Sequence, residues 1–231
     1  MTPAVRRRSR RAVPALFLTT GLLLAGCGGS ADDAGGEAGA TGAAGGHDHS
    51  GDAPAVVEGP DDRYAGLDLP EPYRRPSFTL TDTTGAEYDF KEATAGRPTM
   101  LFFGYTECPD VCPTTMADVA VALRGVDPAL AEQVQVVFVT TDPATDTPEV
   151  LGEYLDRFDA DLPTSFVGLT GDQEAVERAQ LAAGVPQAED DGRLHSTLLL
   201  LYGGDDEAHV AFDAGNTHQD IAEDLQVVAG A

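Results

Sequence analysis

Apolar residues along this chain follow two rhythms. Thr99-Met100-Leu101-Phe102-Phe103 and Gln135-Val136-Val137-Phe138-Val139-Thr140 are short, nearly unbroken runs, the pattern of β-strands covered on both faces in a parallel sheet. Gly104 ends the first run, and Phe166-Val167-Gly168-Leu169 reads as another short strand. Elsewhere the period lengthens. Met116, Val119, Ala120 and Leu123 predict a helix over 114–123. Val150, Leu151, Tyr154, Leu155 and Phe158 predict a second, capped by Thr147 with Pro148 at its first position. Thr170 to Gln173 reads as a capping box for a helix running to about Ala183. Thr217 caps a last amphipathic helix carrying Ile221, Leu225 and Val228.

Residues 78–80 and 87–90, joined through Asp82-Thr83-Thr84-Gly85, predict an N-terminal β-hairpin. Residues 194–202 and 208–212 predict a second hairpin around Gly203-Gly204-Asp205-Asp206, and 126–132 a short turn or helix. Strands alternating with helices assign the α/β class. The folded domain is expected over 63–231.

The residues before it read differently. Arg6, Arg7, Arg8, Arg10 and Arg11 precede a short apolar stretch over 12–24, as in an export signal and too short to span a membrane comfortably. Leu24-Ala25-Gly26-Cys27 resembles a bacterial lipobox, so residues 1–26 are expected to be removed and Cys27 lipidated. Ser9-Arg10-Arg11 faintly resembles a twin-arginine signal. Residues 27–62, rich in Gly, Ala, Asp and Ser, read as a flexible acidic tether. Within it, His47-Asp48-His49 is either a weak metal catch or a pair of solvated histidines.

A formal net charge of −25 argues against nucleic-acid binding, which needs basic patches. The same field attracts cations. With Cys27 lipidated, the three cysteines reduce to Cys108 and Cys112. In an exported protein this pair is expected to oxidise unless a metal or a reductant holds it reduced.

Both thiols lie on a strand-to-helix turn, Tyr105-Thr106-Glu107-Cys108-Pro109-Asp110-Val111-Cys112-Pro113. Pro109 suits an early helical position, and Pro113 is tolerated only in the first turn. Unpaired N–H groups and the helix dipole stabilise a thiolate there. Three readings fit: a structural disulfide, a thiol–disulfide exchange site, and a soft-metal site with a third ligand elsewhere. A spacing of three intervening residues, instead of the two of the familiar redox motif, shifts weight toward metal.

Gly-Tyr-Thr-x-Cys-Pro-Asp-Val-Cys-Pro after an apolar strand resembles the Sco (SenC) family of copper chaperones. The resemblance continues through Asp142-Pro143-Ala144-Thr145-Asp146-Thr147-Pro148, Gly168-Leu169-Thr170-Gly171 and His195-Ser196-Thr197, and covers roughly 76–228. Glu107 departs from it, since members often carry His or another non-acidic residue there. The resemblance implies a thioredoxin-like central sheet flanked by helices, with the N-terminal hairpin and one extra strand. It implies copper, as Cu(I) or Cu(II), held by Cys108, Cys112 and His195. Soft sulfur favours Cu(I), and imidazole supports Cu(II). Asp142 and Asp146, after a sheet strand, and Asp110, in the cysteine turn, are candidates for orienting the ligands, or else for loop capping. His209 and His218 lack such context.

The function implied is delivery of copper to the dinuclear copper site of cytochrome c oxidase subunit II, or to another respiratory copper protein. The expected place is the extracytoplasmic face of a bacterial cell membrane, with the chain held there by its lipid and otherwise monomeric. The alternative is a thiol–disulfide oxidoreductase in which Cys108 and Cys112 reduce the target's cysteines before metal insertion. A passive copper buffer or sensor fits the same residues. A thiol peroxidase would need a dedicated peroxide pocket, for which nothing in the sequence speaks.

Overall fold

The structure, a computed structural model, describes residues 63–188 and 196–230. Cys27, His47, His49 and His195, with the expected signal and tether, lie outside the described residues.

Strands β4 (Thr99–Gly104) and β5 (Gln135–Thr140) form the centre of the sheet, paired in parallel from Thr99 opposite Gln135 to Gly104 opposite Thr140. Every residue of β4 is buried, as is every residue of β5 after Gln135. Successive side chains point to opposite faces, so the runs divide into two core layers. Met100, Phe102, Val136 and Phe138 join Met116 of α2 (Val111–Gly125), Leu151 of α4 (Pro148–Asp159) and Ile221 of α6 (His218–Ala229). Leu101, Phe103, Val137 and Val139 join Phe90 of α1 (Phe90–Thr94) and Val176 of α5 (Gln173–Ala182).

The other strands extend the sheet outward: β1 (Leu67–Arg74), β2 (Thr79–Asp82), β3 (Glu87–Asp89), β6 (Val167–Thr170), β7 (Leu199–Tyr202) and β8 (Glu207–Phe212). The eight strands run in the order β1-β8-β7-β4-β5-β6-β2-β3. β5 and β6 are parallel, while β7 runs antiparallel to β4 and to β8. This is the expected thioredoxin-like α/β sheet, with the N-terminal hairpin β2–β3 joined antiparallel to β6. A short helix, α3 (Pro128–Ala131), starts on the Asp127 side chain with Pro128 in its first turn. No helix among the described residues is long and apolar enough to cross a membrane.

Four local expectations change. β1, unmarked by the apolar pattern, pairs with β8 at the sheet edge, and its register breaks between Asp68 and Tyr73. Pro70 and Pro72 fall in that break, where no ladder N–H is needed. Phe90 opens α1 instead of ending a strand, because the Asp89 carboxylate accepts the Glu92 N–H. The cap of α5 is Asp172, accepting from Ala175 N, and not Thr170. Pro109 lies before α2, while Pro113 does sit in the first turn.

Candidate metal centre

β4 ends at the edge where α/β sheets place their sites. A Cβ on Gly104 would stand 2.8 Å from the Phe102 ring and 2.9 Å from Cys112 Sγ, so only glycine fits where strand and helix start approach this closely. The chain then turns over 105–110, with Cys108 N–H donating to the Tyr105 carbonyl at 3.3 Å.

Asp110 holds the N-cap position, yet its carboxylate makes no capping bond. Its carbonyl instead accepts from Thr114 N at 3.2 Å and Thr114 Oγ1 at 2.9 Å. The cap is a sulfur. Cys112 N–H donates to Cys108 Sγ at 3.3 Å, and the nearby Asp110 and Val111 N–H groups also favour the anion of this sulfur. Partial burial raises the Cys108 thiol pKa, but these N–H groups and the Cys112 side chain outweigh it, and the net shift is downward. Cys112 is fully buried. Burial pushes its thiol well up, the hydrogen bond with the Cys108 sulfur adds to this, and a backbone bond from Tyr105 only partly opposes it.

Asp146 ties the turn to the sheet. It is fully buried, and its Oδ2 accepts from Thr106 N at 3.0 Å and from Thr140 Oγ1 at 2.6 Å. Oδ1 accepts from Thr106 Oγ1 at 2.5 Å. One carboxylate thus joins the end of β5 to the residue two positions before Cys108. Asp142 is also buried, at the start of the same loop, where its carbonyl accepts from Thr145 N and Asp146 N. Asp146 positions the cysteine turn; Asp142 shapes the loop that presents Asp146. Thr106, Thr140 and Gly104 complete this support, and no periodic pattern marks them.

The described histidines pair with carboxylates. His209 Nε2 lies 2.9 Å from Asp205 Oδ2 on the β7–β8 hairpin, and His218 Nδ1 lies 3.6 Å from Asp118 Oδ1.

The site therefore offers one sulfur biased toward thiolate and accessible, backed by a second sulfur that is buried. Such a pair can hold a soft metal ion or close a disulfide. Two sulfur donors suit copper.

Comparison with known proteins bears on this site. The SCO1/SenC family model matches residues 69–230. A Stutzerimonas stutzeri protein named for copper binding is 38% identical over 156 residues, which is 62% of this chain and 74% of that protein. Matches to the yeast Sco proteins span only 32% to 36% of their lengths. The structure of Bradyrhizobium japonicum ScoI with copper bound is 30% identical with a TM-score of 0.54, covering 69% of this chain and 98% of that one. Apo Sco1 from Thermus thermophilus is 30% identical with a TM-score of 0.61, covering 72% and 97%. With the family model spanning β1 to α6 and the paired thiols at the end of β4, this chain belongs to the SCO1/SenC family.

Proposed function

We propose that this chain is a copper chaperone, anchored by lipid at Cys27 to the extracytoplasmic face of the membrane. It delivers copper for assembly of the dinuclear copper site of cytochrome c oxidase subunit II. Residues 1–26 are the export signal, 27–62 the tether and 63–231 the working domain. The observation that carries the reading is the Cys108–Cys112 pair at a helix N-terminus, with the Cys112 N–H donating to Cys108 Sγ, in a family with a copper-bound relative. Cys108, Cys112 and His195 are the ligands.

The two sulfurs divide the work. Cys108, partly exposed and inclined to thiolate, meets the incoming copper ion and is the first to pass it to a target thiolate by ligand exchange. Cys112, buried, keeps its proton until copper displaces it, so the ion is held only when both sulfurs engage. Tethering raises the effective concentration of the domain near a membrane target.

The lowered Cys108 pKa also favours a second reading, a thiol–disulfide oxidoreductase that reduces the target before metal insertion. The deciding experiment presents copper-loaded and metal-free protein to reduced and oxidised target peptide. Copper transfer to reduced peptide supports the chaperone. Reduction of oxidised peptide by metal-free protein, without transfer, supports the oxidoreductase. His195→Ala tests the third ligand: Cu(II) affinity should fall on the order of 10- to 100-fold, and Cu(I) affinity much less. Equal affinities in both oxidation states would remove His195 from the site.

A further inference from the structure

A groove of about 110 Å³ opens beside the cysteine turn, between the first turns of α2, the paired Leu199–Phe212 end of the β7–β8 hairpin and the start of α6. Its floor is apolar: Phe212 and Ile221 are buried and Val111 is half-buried. Its rim is acidic: Asp110 and Asp213 are exposed and Asp118 is half-buried. No Lys or Arg is among the described residues that line it. The three carboxylates are only loosely engaged. That of Asp110 makes no capping bond. Asp118 Oδ1 lies 3.6 Å from His218 Nδ1, longer than a hydrogen bond. Asp213 Oδ1 accepts from Gly215 N at 2.7 Å, which fixes the loop and does not neutralise the charge.

A hydrated cation gains nothing from an apolar floor, and a wholly apolar side chain would leave the rim carboxylates desolvated and unpaired. A lysine or arginine side chain fits both halves, with its aliphatic stem on the floor and its charge at the rim. The groove holds roughly three or four waters' share of liquid volume, the scale of one long side chain. We propose that it is the docking site for a Lys or Arg side chain of the copper-accepting protein, carried on a segment next to the acceptor thiols. Its position supports this occupant. Asp110 and Val111 line the groove and lie between Cys108 and Cys112 in the chain, so a side chain seated there brings its own segment to the sulfurs. That identity of the occupant rests on the copper reading above; the preference of the groove for a stemmed cation does not. The net charge of −25 draws any cation toward the chain, whereas the floor selects those with a stem.

Three end-blocked peptides, Gly-Ser-X-Gly-Ser-Gly with Lys, norleucine or 2,4-diaminobutyrate at X, separate charge from stem. Each is titrated into reduced, metal-free protein and followed by amide chemical shifts. The Lys peptide should bind with a Kd on the order of millimolar, with shifts at Thr114, Thr115, Asp118 and Asn216. Norleucine keeps the stem without the charge and should bind roughly fivefold more weakly, the worth of a partly exposed ion pair. Diaminobutyrate keeps the charge, lacks two methylenes, and should bind roughly tenfold more weakly. Asp118→Asn combined with Asp213→Asn should abolish the preference for Lys over norleucine, while Asn keeps an oxygen for Gly215 N. Glu71→Gln with Glu92→Gln removes two exposed charges away from the groove and should leave the preference intact. Absence of saturable binding, equal affinities for the Lys and diaminobutyrate peptides, or the same shifts from Mg²⁺ alone would each overturn the proposal. So would an unchanged preference in the Asp118 and Asp213 variant. Copper transfer to reduced two-cysteine peptides carrying Lys or norleucine beside the thiols then tests the occupant: transfer should be faster to the Lys peptide, and equal rates would overturn the assignment to the copper acceptor. If neither peptide took copper, the chaperone reading would fall, and the shift titration would still decide whether the groove takes a cationic side chain.

Discussion

The backbone N–H of Cys112 donates to Cys108 Sγ at 3.3 Å, so a sulfur does the work that a Ser, Thr or Asp oxygen normally does at a helix N-terminus. The two thiols differ as a result. Cys108 accepts N–H bonds that favour its anion, while Cys112 lies within the core that penalises its own.

Alkylation should therefore separate them. For Cys108 the folded pKa is lowered, so its reactive thiolate persists as pH falls below the ordinary thiol range; for Cys112 the raised pKa delays the thiolate to more alkaline pH. Reduced, metal-free protein treated with iodoacetamide near neutral pH should label at Cys108 first, by peptide mass mapping. Preferential labelling of Cys112 would contradict the assignment.

Asp146→Asn should loosen the cysteine turn. Asn brings an NH2 where three donors, Thr106 N, Thr106 Oγ1 and Thr140 Oγ1, now converge on a carboxylate. A buried donor left unsatisfied costs about 1–3 kcal/mol, which urea unfolding would register. Copper affinity should fall with it, since the turn carrying Cys108 is no longer held to β5.

Gly104→Ala probes the close approach of strand and helix. Its Cβ would meet the Phe102 ring at 2.8 Å and Cys112 Sγ at 2.9 Å, and overpacking of this kind costs about 1–3 kcal/mol. The expected signature is a lower urea midpoint together with weaker copper binding. Wild-type values for both would show that the helix start moves freely.

Arg75→Lys makes the opposite test, stability without the site. The Arg75 side chain is fully buried, with Nε 2.7 Å from Asp206 Oδ1, Nη1 on Thr94 Oγ1 and Nη2 on the Arg97 and Gly203 carbonyls. Its guanidinium also lies 5.1 Å from the Tyr202 ring centroid. Lys keeps the charge and loses the fork. With Asp206 partly exposed, a loss of about 1–3 kcal/mol is expected. Tyr202 pairs with Thr99, at the end of β4 remote from Gly104, so copper affinity should stay at the wild-type value. A drop in affinity matching the drop in stability would show that the two poles are coupled.

Much of this fold is legible from residues near one another in the chain. β5 runs over the expected six residues, α4 starts at Pro148 on the Thr147 side chain, and Thr217 forms its capping box with Asp220. These features depend on burial pattern and on caps within three residues, which the chain carries locally. Cys108 and Cys112 are legible for the same reason, as thiols at a strand-to-helix turn.

Other features had to await the tertiary structure. β1 carries two prolines and no strong alternation, and it exists because β8, far along the chain, presents an edge for it. The environment of Asp146 comes from Thr106, 40 residues earlier, and that of Arg75 from Asp206, 131 residues later. Tyr154 is visible in the sequence only as an inner-face residue of a helix, whereas the burial of its hydroxyl depends on how the ring packs against Phe138 of β5. Which polar groups are buried, and which acceptor each meets there, depends on solvent exclusion by distant segments, and solvent exclusion is a property of the packed chain.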